Sequence, residues 1–152
     1  MKQLTGSAQV EVEAPLEACY ALLTAVERYP DWYSDVVRDV RVVDREPDGL
    51  AAKLHATLHV ARGPLVRDLH LTLAVERRPQ HAVSLVRLPN EPGDPETFRV
   101  DWRLTKAGAR TQIGLELAGS LDVPRMVPLA GIGGAMADGF VAAAARGISR
   151  NR

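Results

Sequence analysis

Residues 50–76 read LAAKLHATLHVARGPLVRDLHLTLAVE. Apolar and polar side chains alternate through both halves. Leu50, Ala52, Leu54, Ala56, Leu58 and Val60 share one parity, and Lys53, His55, Thr57 and His59 share the other. Beyond Gly63-Pro64 the pattern resumes, with Leu65, Leu69, Leu71, Leu73 and Val75 set against Asp68, His70, Thr72 and Glu76. Successive side chains of a strand point to opposite faces, so this alternation marks strands with one face buried and one wet. Gly-Pro between them is a turn signal. Pairing around that turn sets His59 opposite Asp68 and Thr57 opposite His70.

The same reading extends outward. On the N-terminal side a strand is expected over Leu4–Glu13, where Val10 and Val12 alternate with Gln9, Glu11 and Glu13. Pro15 suits the first position of a helix, because its missing N–H would have no partner there. Leu16, Cys19, Tyr20, Leu23 and Val26 then recur at three- and four-residue steps, one face of a helix. Pro30 interrupts it, and a short second helix or turn is expected over Asp31–Asp35. Val36–Arg45 is a strand closed by the turn Pro47-Asp48-Gly49.

On the C-terminal side Ala82–Leu88 is a strand of undecided facing. Either Val83, Leu85 and Arg87 point inward, or Ser84, Val86 and Leu88 do. A proline-rich loop over 89–96 follows. Phe98, Val100, Trp102 and Leu104 alternate with charged neighbours, and Ile113, Leu115 and Leu117 do so after a turn at Ala107-Gly108. The period then changes. Leu129, Ile132, Met136, Phe140, Ala144 and Ile148 fall at helical spacing and predict a long terminal helix. Gly131, Gly133 and Gly134 cost it roughly 2–3 kcal/mol of propensity, so its first half should be kinked, frayed or closely packed.

Composition narrows the class. The chain has 152 residues, and its 46% hydrophobic and 25% charged content fits one globular domain spanning 1–152. Lys plus Arg equals Asp plus Glu at 19 each, so no surplus of positive charge points to nucleic acid or to an anionic membrane. Cys19 is the one cysteine and cannot form an internal disulfide. Residues 1–13 lack an apolar run of the secretory kind. These two features predict a cytoplasmic setting. The longest nearly apolar stretch, Val127–Ala137, has 11 residues, too few for a transmembrane segment of about 20.

One strand, two short helices, six strands in a meander and a long helix make an α+β architecture, with a seven-stranded curved antiparallel sheet covered on one face by the terminal helix. Its inward positions include few bulky residues, namely Trp102, Phe98, Phe140, Tyr20 and Trp32. Ala52, Ala56, Gly131 and Gly134 are small. A hollow between sheet and helix is therefore expected, of the kind that takes apolar ligands.

The stretch Val10–Trp32 resembles the opening of the START-like superfamily. It has a strand, then Ala14-Pro15, an aromatic Tyr20 within the helix, and Glu27-Arg28-Tyr29-Pro30 followed by Asp31 and Trp32. It is most similar to the branch holding polyketide cyclase/dehydrase-like proteins, coenzyme Q-binding proteins and the ribosome-association toxin. The segment Met136–Arg146 is similar to that branch's closing helix. The resemblance implies a helix-grip fold with a ligand cavity. No cofactor or metal is expected. The resemblance leaves three functional classes open: a binder of a polyketide, quinone or lipid-like molecule, an aromatase, cyclase or dehydratase, and a protein-interaction module. The middle strands lack the internal Arg, Ser and Trp pattern of the best-known aromatase/cyclases. A monomer or weak homodimer is expected.

Residues placed at the expected cavity are Trp32, Tyr33, Leu54, Leu58, Arg67, Leu69, Leu71, Leu85, Arg87, Trp102, Leu115, Met136 and Phe140. Parity puts Arg67 on the apolar face of its strand, and Arg87 there in one of two registers. A buried guanidinium needs a partner, so each either anchors a polar group of the ligand or, lying near a strand end, reaches solvent or pairs with an acidic residue. His55, His59, His70 and Asp68 carry metal-ligand chemistry, but on the wet face they are first a solvated surface. No catalytic residue is assigned.

Overall fold

The computed structural model describes residues 1–62, 65–124 and 129–150, and of residues 62 and 65 the backbone alone. The turn expected at Gly63-Pro64 lies outside the described residues. In chain order the elements are β1 (Lys2–Val12), α1 (Leu16–Thr24), a 3₁₀ turn (Val26–Arg28), α2 (Tyr29–Trp32), β2 (Val37–Arg45), β3 (Ala51–Arg62), β4 (Leu65–Arg78), β5 (Ala82–Arg87), β6 (Thr97–Ala107), β7 (Arg110–Leu121) and α3 (Ile132–Arg150). The strands form one antiparallel sheet in the order β1-β7-β6-β5-β4-β3-β2. The last six strands are a meander, and β1 returns beside β7. With α3 across the inner face, this is the helix-grip α+β fold.

The β3–β4 register sets His59 opposite Asp68 and Thr57 opposite His70, as the alternation predicts. The facing of β5 is settled: Val83, Leu85 and Arg87 are buried, and Val83 pairs with Trp102. Four local expectations need correction. Pro15 stands one place before the first helical residue, where its carbonyl accepts from the amides of Ala18 and Cys19. α1 stops at Thr24, and Val26 belongs to the 3₁₀ turn. The second short helix is Tyr29–Trp32, not Asp31–Asp35, because Pro30 sits in its first turn. There the ring fits and no amide is wasted. Finally, β3 buries Ala51 and leaves Ala52 half-exposed. The pairing of β2 with β3 is irregular between Val42 and Asp44 and again between Asp44 and Arg45. Irregularities of this kind shift the side-chain alternation locally.

Of the glycines near α3, Gly133 draws two backbones together, whereas Gly131 and Gly134 meet nothing within 4 Å. Gly131 is exposed and lies just ahead of the helix at φ +82°, a conformation only glycine adopts without strain. Gly133 packs on β1, where an added Cβ would overlap the Thr5 carbonyl. Reciprocally, a Cβ on Gly6 would overlap the Gly133 carbonyl. The helix therefore rests backbone to backbone on β1, the closely packed outcome among those expected. Gly134 meets nothing within 4 Å. Among the described residues, no helix is long and apolar enough to cross a membrane.

Candidate functional site

The space between the inner sheet face and α3 narrows to a crevice of about 20 Å³. Val26, Tyr29, Val37 and Val40 form one wall. Leu54, Ala56, Leu58 and Leu73 form a second, and Leu85, Phe98, Val100 and Phe140 a third. Such a volume admits about one water molecule. The roomy hollow expected from the small inward residues is thus corrected to a narrow slot.

Aromatic rings account for the difference. Tyr29 and Trp32 lie 4.7 Å apart between ring centres, and Tyr33 and Phe140 also 4.7 Å. Trp102 meets Phe140 edge-on at 6.0 Å and Trp32 at 6.5 Å. Five rings supplied by α2, its flank, β6 and α3 make one continuous block, with edge-to-face geometry that the ring quadrupoles favour.

Of the residues expected at the cavity, Leu54, Leu58, Leu85 and Phe140 line the crevice. Trp32, Tyr33 and Trp102 belong to the ring block beside it. Leu69, Leu71, Leu115 and Met136 are buried in the surrounding core. Val26, Val37, Val40, Leu73 and Val100 line it without having been assigned to it, and Tyr29, expected with Trp32 and Tyr33 at the cavity mouth, lines it too. Parity alone would have found Leu73 and Val100, which share faces with Leu71 and Trp102. Val37 and Val40 lie on β2, whose pairing irregularity hides its facing in the sequence.

Tyr29 is the one lining residue with a polar side-chain group. It is 2% exposed, and its hydroxyl donates to the Leu23 carbonyl at 2.6 Å. Burial pushes that hydroxyl's pKa well up. The neighbouring Trp102 side chain acts against the shift. Tyr33 is pushed up to about 12 by burial, with Asp35 adding to the effect and Arg146 opposing it. Both phenols stay protonated at neutral pH.

The two arginines gather at one end of the sheet. Arg87, with its side chain 4% exposed, donates to an Asp94 carboxylate oxygen and to the Glu96 carbonyl, both at 2.7 Å. Asp94 also accepts from the amides of Asn90 and Glu96. The Arg87 hydrogen bond, followed by those amides, holds the Asp94 carboxyl down at about 2. Arg67 reaches Glu96 at 3.3 Å and the Asp122 carbonyl at 3.5 Å. Both guanidiniums thus pair with acidic groups, the second of the two roles the sequence allows. They pin the 89–96 loop across the ends of β4, β5 and β7.

The family model for polyketide cyclase/dehydrase and lipid transport proteins matches residues 12–145. The chain belongs to that family. No curated protein sequence matches it. Among solved structures, a START superfamily protein from Mycobacterium smegmatis superposes with a TM-score of 0.80 at 16% identity, covering 97% of this chain and 99% of that one. The Zhui aromatase/cyclase from Streptomyces sp. R1128 superposes at 0.66 with 15% identity, covering 99% and 96%. A ginseng major latex-like protein from Panax ginseng gives 0.67 at 8% identity, covering 98% and 97%. At such identities the likeness establishes the fold alone.

Three of the four histidines of this family member, His55, His59 and His70, lie on the opposite, outer face. His59 Nδ1 sits 2.7 Å from Asp68, His55 Nδ1 2.9 Å from Thr72 Oγ1, and His70 Nδ1 3.3 Å from Thr57 Oγ1. Each is tied to its own cross-strand neighbour. Among the described residues no three His, Cys, Asp or Glu side chains are placed to hold a metal ion.

Proposed function

We propose that this member of the family binds an apolar small molecule between the sheet and α3, and that it admits the guest by displacing β2 and α2. What carries the reading is the chemistry of the crevice wall. Eleven of its twelve lining side chains are hydrocarbon, and the twelfth turns its hydroxyl to a backbone carbonyl. Polyketides, quinones and lipid-like molecules are the guests such a wall suits. A cyclase or dehydratase would need an acid or base within reach of the substrate. Among the described residues the wall offers only the committed phenol of Tyr29, so binding is the better-supported role.

The entry route follows from which wall can yield. α3 is clamped to β1 at Gly6 and Gly133. β2 is an edge strand, and its pairing with β3 is irregular at three places. Val40 is only half-buried. Motion of β2 therefore sacrifices fewer ladder hydrogen bonds than motion of any inner strand.

The test is saturable uptake of N-phenyl-1-naphthylamine, an uncharged dye that fluoresces in apolar surroundings, together with native mass spectrometry of freshly purified protein. Wild type should bind the dye with a defined stoichiometry. Ala56→Leu, which fills the crevice from β3, should bind it at least tenfold more weakly while keeping its circular dichroism. Absence of saturable uptake by folded wild type would sink the proposal.

A further inference from the structure

The outer face of the sheet carries an open depression of about 520 Å³ over β5 and β6. Its chemistry is the reverse of the crevice. Arg78, Arg99 and Arg103 line it with His81, Ser84 and Thr105, and Asp101 is the carboxylate among them. The chain as a whole has no net charge, so this concentration of cations is local. Two neighbouring rows of the sheet account for it. In one, Glu76 pairs with Ser84 and Ser84 with Asp101. Arg99 holds Asp101 at 2.8 Å and reaches Glu76 at 4.0 Å, and Ser84 Oγ donates to Asp101 at 2.6 Å. The acids of that row are therefore taken. In the next row Arg78 pairs with Ala82 and Ala82 with Arg103. Directly opposed residues on neighbouring strands share a face, so two exposed arginines flank one methyl group. Their Cα atoms stand about 10 Å apart, two strand spacings, a gap that both long side chains can close on one ion. Neither arginine makes a hydrogen bond or an ion pair among the described residues. The row is also rigidly placed. The His81 amide donates to the Arg78 carbonyl and the Leu104 amide to the His81 carbonyl, both at 2.8 Å. Two unneutralised cations on one row repel, and an anion seated over Ala82 relieves that repulsion.

We infer that Arg78 and Arg103 bind the terminal phosphate of a polar small molecule, on the face of the sheet opposite the crevice and independently of it. Planar guanidinium forks match phosphate oxygens two at a time. A phosphate monoester carries close to two negative charges at neutral pH and so balances both cations, whereas a carboxylate carries one. Ser84, Thr105 and His81 offer hydrogen-bonding groups to the body of the ligand. Nucleic acid would need a longer cationic track than this single row.

Glucose 6-phosphate is the probe. Isothermal titration calorimetry at low salt should show it binding wild type one to one, with glucose giving no heat and glucose 6-sulfate, a monoanion of similar shape, binding more weakly. Arg78→Gln and Arg103→Gln should each weaken binding by about tenfold, the scale of one hydrogen bond to a charged group. Arg41→Gln makes the same charge change at an exposed position of β2 and should leave the affinity unchanged. Arginine Nε–H resonances of wild type, assigned through the three variants, should shift for Arg78 and Arg103 and stay in place for Arg41. The resonances are read on the unaltered protein, so they decide the matter even where a variant is damaged. No saturable binding by wild type, or an equal loss in Arg41→Gln, overturns the inference. So does binding to phosphatidylcholine vesicles doped with phosphatidic acid without any response to glucose 6-phosphate, which would make the phosphate a membrane headgroup. The apolar binding role stands or falls on its own dye assay.

Discussion

Alanine at Gly133 and alanine at Gly134 should move stability in opposite directions, although the two are neighbours in the first turn of α3. Replacing a helical glycine by alanine is worth up to about 1 kcal/mol through backbone entropy. At Gly134 nothing lies within 4 Å of the added methyl, so that gain is uncontested. At Gly133 the methyl falls on the Thr5 carbonyl and within 2.9 Å of the Thr5 amide nitrogen. The obstruction is backbone and has no rotamer to change. α3 must retreat by on the order of 1 Å to restore contact near 3.5 Å. Overpacking of this sort costs about 1–3 kcal/mol, and the absence of side-chain relief argues for the upper end. Net of propensity, Gly133→Ala should lose about 2 kcal/mol and Gly134→Ala should gain up to about 1 kcal/mol. For a chain of this length the gap of about 3 kcal/mol corresponds to roughly 6–12 °C in Tm. Urea unfolding followed by circular dichroism measures it, with unchanged slope as the check on a two-state transition. The same retreat lifts α3 from β1 and widens the crevice, so Gly133→Ala should take up more N-phenyl-1-naphthylamine per folded molecule. Equal midpoints for the two variants would refute the backbone clamp and the idea that it closes the crevice on that side.

Four further outcomes follow from the same geometry. Tyr29→Phe leaves the Leu23 carbonyl without its 2.6 Å donor and should lower stability by about 1–2 kcal/mol in urea titration; an unchanged midpoint contradicts that bond. Asp94 has its folded-state pKa depressed to about 2, so its stabilising pairing with Arg87 is complete above the unfolded carboxyl value near 4 and is lost as pH falls from there through 2. Asp94→Asn should therefore flatten the acid limb of Tm against pH between 2 and 5, and identical limbs would show the carboxylate to be idle. Asp68→Ala, which removes the half-exposed partner of His59, should change stability by less than about 1 kcal/mol at neutral pH, checked by the same titration. Amide hydrogen exchange should find β2 opening at lower free energy than β7, because β2 is an edge strand with broken register and β7 is paired on both sides; equal protection would argue against β2 as the moving wall.

How far residues predict structure here depends on whether a local rule or a distant neighbour decides. β3 and β4 were legible because each has one wet face and strict parity. β5 was not, because Val86 and Leu88 are apolar too, and only the pairing of Val83 with Trp102 picks the inward set. Pro30 was misread because a proline can end one helix or begin the next. Ala51 replaced Ala52 at the buried position because an irregularity on the partner strand is invisible in β3 itself. The site shows the same division. Leu54, Leu58 and Phe140 followed from periodicity, and Leu85 from one of the two facings open to β5. The pairing of Arg87 with Asp94 depends on the path of the 89–96 loop, which propensity does not specify.

The largest misreading concerned small residues, and it bears on function. In a sequence, glycine or alanine at an inward position is equally compatible with empty space and with close approach of two backbones. Here Gly6 and Gly133 produce approach, and the ring block fills what remains. A pocket held open by rigid walls would admit its ligand with little reorganisation. A slot of about 20 Å³ cannot, so part of any guest's binding energy must go into displacing a wall. That cost falls on the most weakly held element, which is β2, and it selects for guests whose contacts with the slot are strong enough to offset it.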